Sequence, residues 1–91
     1  MDENLIKREA NNFCSADLHL GNPRKDYRLI KKQLNDFYLS EDKLIFLNEI
    51  KKWCRRELSK DDDDAKTLIA FIDQDIKLLE PIVLDKFYSS L

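Results

Sequence analysis

An all-α domain, a single small bundle of four or five helices spanning residues 1–91, is the fold this chain predicts. Three observations carry that expectation. Leucine (14) and isoleucine (8) dominate the apolar set, while valine and threonine, which strands favour, appear once each. One glycine and two prolines leave little with which to turn hairpins. Apolar residues also recur at helical rather than alternating spacing. At 91 residues, 43% hydrophobic and 37% charged, the chain suits one core; it is neither a disordered acidic tail nor a membrane span. Its longest apolar run, Leu68 to Ile72, is five residues, against the roughly 20 a spanning helix needs.

The first helix is expected over about residues 2–20, with Ile6, Ala10, Phe13 and Cys14 on its inner side. Gly21 is the natural left-handed residue to end it, Asn22 the cap of the next helix and Pro23 its first residue. The second helix then covers 23–39, gathering Tyr27, Ile30, Leu34, Phe37 and Tyr38 on one face. Ser40 is placed to cap a third helix over 41–58, with Glu41 and Asp42 in its first turn. That helix buries Leu44, Phe46, Leu47, Ile50, Trp53, Cys54 and Leu58. Asp61 to Asp64 suit a loop leading into a helix N-terminus, where unpaired amides attract negative charge. The fourth helix, 63–80, presents Ala65, Leu68, Ile69, Ile72, Ile76 and Leu79 as its core stripe. A proline inside a helix costs about 3 kcal/mol, so Pro81 is expected to open a short fifth helix over 81–89. Helices two, three and four form the expected core, with Trp53 and Phe37 as its central aromatic residues.

The net charge of −2 conceals a division: residues 1–22 carry −2, residues 23–60 carry +5 and residues 61–91 carry −5. Arg24, Lys25, Arg28, Lys31 and Lys32 share one side of the second helix. Lys51, Lys52, Arg55 and Arg56 share an arc of the third. If those two helices pack antiparallel through their apolar faces, both arcs point outward as a surface for nucleic acid or an acidic partner. Sequence-specific readout by a helix-turn-helix is not expected. The third helix would present Ser40, Glu41 and Asp42 to the bases, and its arginines sit at the far end.

Catalytic and metal chemistry find little material. Cys14, His19 and Cys54 lack the spacing of a zinc site or of an oriented nucleophile–base pair. The acidic run lacks the alternation and central glycine of a calcium loop. No metal, cofactor or enzymatic activity is expected. The acidic start of the chain and its two cysteines point to free thiols and a cytoplasmic setting.

Beside the core stripe of the fourth helix runs a second one, Phe71 and Leu78, extended by Ile82 if the helix continues. A core stripe alone does not need it. The function expected is therefore a non-enzymatic helical protein–protein interaction module, whose partner is another protein or a second copy. Nucleic-acid binding through the basic faces is the alternative.

Overall fold

A computed structural model describes residues 2–90 and contains four α-helices: α1 (Glu3–Asp17), α2 (Pro23–Leu34), α3 (Ser40–Glu57) and α4 (Asp63–Ser89). The fold is the expected all-α bundle. Its principal packing pairs are α1 on α3, α3 on α4 and α2 on α4.

α1 begins where the Asp2 carboxylate accepts from the Asn4 amide at 3.1 Å, and it buries Ile6, Ala10, Phe13 and Cys14. The helix stops at Asp17 rather than at residue 20 because the next donors are claimed elsewhere. The His19 and Leu20 amides donate to the two oxygens of Asp26, at 2.8 and 2.9 Å. The chain reverses at Leu20, whose φ is 55°, and Gly21 has no positive φ. The expected left-handed glycine is thus displaced by one residue. Asn22 does cap α2, accepting from the Lys25 amide at 3.2 Å, and Pro23 stands first in the helix.

α2 ends at Leu34, five residues short of the expected boundary. Asp36 and Phe37 donate to Gln33 and Leu34 at 3.1 Å, a tighter turn that swings Phe37 into the core. Tyr38 is left 95% exposed, so it does not belong to the buried face. Ser40 is the first residue of α3 rather than its cap, and the capping position, Leu39, makes no side-chain hydrogen bond.

The core draws on all four helices, α1 included. Phe46, fully buried, is its aromatic centre, with ring centroids 5.9 Å from Phe13 and 5.0 Å from Phe37. Trp53 and Phe37 lie nearer the margin. Ile6, Ile30, Leu47, Ile50, Leu68 and Ile72 complete the interior, each worth about 1.5–3 kcal/mol relative to exposure. α2 and α3 are not a principal packing pair. The nearest ring contact is made by Phe37, in the turn after α2, against Phe46 of α3, so the basic arcs do not form the paired surface expected of two antiparallel neighbours.

α4 is one helix of 27 residues, and Pro81 lies inside it rather than opening a fifth. Asp62 starts it by accepting from the Ala65 amide at 3.1 Å, as the acidic run suggests. The helix passes through Pro81 because that residue and Lys77 are both exposed, so water can serve the Lys77 carbonyl left without its donor. Residues beyond the proline are held against α3 by the ion pair of Lys86 with Glu41, at 3.7 Å. Among the described residues, no helix is long and apolar enough to cross a membrane.

Candidate protein-binding surface

Two ion pairs, Lys51 with Asp73 and Glu41 with Lys86, hold α4 antiparallel along α3. On that side Leu68, Ile72 and Ile76 are buried, and Ile69 and Leu79 are partly so. α2 covers a second side of α4, but only part of its length. The Tyr27 ring lies 5.2 Å from Phe71, and its hydroxyl donates to Asp75 Oδ2 at 2.7 Å. Lys31 Nζ reaches Asp75 Oδ1 at 3.2 Å. Burial, the hydrogen bond to Asp75 and the charge of that carboxylate together push the Tyr27 hydroxyl up to about 12.

The stripe containing Phe71 therefore begins under α2 and emerges uncovered. Phe71 is half-buried against Tyr27, whereas Leu78 and Ile82 are 69% and 46% exposed. The structure thus separates Phe71 from the other two. It also adds Leu84, Phe87 and Tyr88, which are 52%, 58% and 66% exposed. By sequence these three belong to the expected fifth helix, 81–89, and to no binding surface. The signal was present: at 100° per residue, Ile82, Val83, Leu84, Phe87 and Tyr88 encircle the helix, and one bundle cannot bury every side. The intervening charges, Lys77, Glu80, Asp85 and Lys86, balance.

The basic residues fall into two unlike sets. Arg24, Lys25, Arg28, Lys31 and Lys32 are all exposed on α2. On α3, Lys51 is half-buried against Asp73. Arg56 donates to Asn11 Oδ1 at 2.9 Å and to Glu57 at 3.2 Å. Lys52 and Arg55 are exposed. Asn11 in turn donates to Glu49, at 3.1 Å, so Arg56 belongs to a polar bridge between α1 and α3.

The residues weighed for chemistry form no joint site: the two thiols interact inside the core, and the imidazole is outside it. Cys14 and Cys54 are buried free thiols, and His19 is exposed on the α1–α2 connection. Burial, with lesser contributions from Cys54 and Glu49, pushes the Cys14 thiol up to about 12, and burial pushes Cys54 up to about 11. Both are held as weakly nucleophilic thiols. No group of three potential metal ligands occurs among the described residues. Comparison with protein-family models, curated proteins and solved structures finds no match for the chain.

Proposed function

We propose that this chain is a small non-enzymatic helical protein–protein interaction module that self-associates through the C-terminal half of α4. One observation carries the reading: Leu78, Ile82, Leu84, Phe87 and Tyr88 are each 46–69% exposed within eleven residues of one helix. They lie on two sides of the helix, Leu78 and Ile82 on one and Leu84, Phe87 and Tyr88 on the other, and exposed apolar surface of this kind marks contact sites. A second copy suits the surface because Lys77 and Lys86 balance Glu80 and Asp85, so two like segments meet without net repulsion. Either side alone is smaller than the roughly 800 Å² per partner of a stable complex, which implies a reversible dimer. Both thiols are buried, and burial pushes their pKa values up, so neither serves as a ready nucleophile.

Sedimentation equilibrium over a wide concentration range tests it. The expected result is a mass rising toward twice the monomer, and a folded monomer for Leu78→Glu combined with Ile82→Glu. Both side chains are exposed, so helicity should be retained. A wild type that stays monomeric at millimolar concentration, or a double variant that still dimerises, would refute self-association through this surface.

A further inference from the structure

α2 confines its cations to one side. Stepping 100° per residue places Lys31, Arg24, Arg28, Lys32 and Lys25 within an arc of about 120°, while Asp26, Ile30 and Leu34 occupy the buried side. Asn35 is the only other residue on the arc, and it is exposed. Among the described residues, Arg24, Lys25, Arg28 and Lys32 make no ion pair. Lys31 pairs with Asp75 yet keeps 46% of its side chain exposed.

The acids near this arc are arranged so that most of them leave it positive. Asp26 is turned inward with both oxygens accepting loop amides. Asp17 and Asp36 share an open hollow with Lys32. The run Asp61–Asp64 starts α4, whereas α2 meets α4 at Asp75. Twelve residues of helix separate Asp63 from Asp75, about 18 Å, against a screening length of about 8 Å at physiological salt. α3 offers no equivalent surface, because Lys51 and Arg56 are engaged within the fold.

We propose that the exposed α2 arc binds the phosphate backbone of duplex DNA without reading its sequence. From Arg24 to Lys32 the helix rises about 12 Å, which, laid along the duplex axis, spans three to four phosphates of one strand. The arc carries no exposed aromatic side chain on which unstacked bases could rest, which disfavours a single strand. It carries no apolar residue to enter a lipid surface either. Arg24, Lys25 and Arg28 act in full, while Lys31 and Lys32 are partly offset by Asp75 and by Asp17 and Asp36. Three to four neutralised phosphates give a log–log salt slope of about −3, so affinity falls about 40- to 150-fold between 50 and 200 mM salt.

Fluorescence anisotropy of a labelled duplex of about 20 base pairs, titrated at those salt concentrations, measures the slope. Changing Arg24, Lys25 and Arg28 together to Glu should abolish binding at the lowest salt. Changing Lys52 and Arg55 to Glu should leave it intact. All five side chains are exposed, so both variants should remain folded, which circular dichroism checks. The proposal is overturned by a wild type that does not bind at the lowest salt, by a slope shallower than about −1, or by equal losses in the two variants. Equal affinity for polyglutamate or for phosphatidylserine vesicles at matched salt also overturns it, since the arc would then answer to charge in another class of partner.

Discussion

Replacing Asp26 by alanine should be among the most damaging single changes in this chain, although the residue lies in no apolar stripe. Its side chain is 1% exposed, and its two oxygens accept from His19 and Leu20 at 2.8 and 2.9 Å. A hydrogen bond to a charged group contributes about 1.5–3 kcal/mol, so the pair sums to about 3–6 kcal/mol. Removing a buried charge returns part of its desolvation cost, leaving an expected net loss of about 3 kcal/mol. For a domain of this length, each kcal/mol moves Tm by about 4–8 °C, so a fall of about 12–24 °C follows. Urea denaturation should show a lower midpoint with an unchanged m-value. Asp26→Asn keeps one acceptor but sets its NH2 donor against the other N–H, so it should lose nearly as much. A loss below about 1 kcal/mol for Asp26→Ala would show that water serves the loop amides as well as the carboxylate does, and the account of how α1 ends would fail.

Three further outcomes follow from local geometry. Gly21→Ala should stabilise the chain by about 0.4–1 kcal/mol in the same urea assay, because Gly21 has no positive φ and a Cβ there meets nothing within 4 Å. Pro81→Ala should raise stability by up to about 3 kcal/mol by restoring a donor to the Lys77 carbonyl; a neutral or negative result would mean that the helix is adapted to the proline. Alkaline stability should depend on Tyr27, whose hydroxyl ionises near 10 in the unfolded chain and about 12 in the folded one. Between those values the folded state binds more protons, so stability falls as pH rises. Tyr27→Phe should flatten that fall in urea midpoints measured above pH 10.

Much of the fold was legible because it rests on periodicity and caps. Ile6, Ala10, Phe13 and Cys14 lie where 100° steps put them, and Asn22, Pro23 and Asp62 act at the helix starts they suggest. What escaped depends on partners distant in sequence. Nothing adjacent to Asp26 announces that its oxygens will hold the amides of residues 19 and 20, and that contact decides which residue turns left-handed. Tyr38 reads as helical by spacing, yet the turn that inserts Phe37 beside Phe46 removes it from the face.

 The exposure of Leu78 was visible as a second stripe. Phe71 shares that stripe but is claimed by Tyr27, because α2 covers only part of the length of α4. Where α2 stops is set by the turn after Leu34, a few tenths of a kcal/mol of local preference that packing overrides.

The order in which the helices pair bears on how the chain folds. Of the three principal contacts, only α3 on α4 joins consecutive helices; α1 on α3 and α2 on α4 each skip one. The α3–α4 connection, residues 58–62, is short, and closing a short loop costs little entropy. That hairpin is the natural first structure, with Ile50 and Ile72 in its seam, and α1 and α2 dock on opposite members of it afterwards. Conservative truncations should divide accordingly: Ile50→Val and Ile72→Val should slow refolding, whereas Ile6→Val and Ile30→Val should mainly speed unfolding. Stopped-flow chevrons on the four variants measure the division, and the reverse pattern would place the nucleus at the N-terminal pair instead. On this route the apolar end of α4 is already present while α1 and α2 are still undocked, so refolding chains meet one another through that end before the bundle closes.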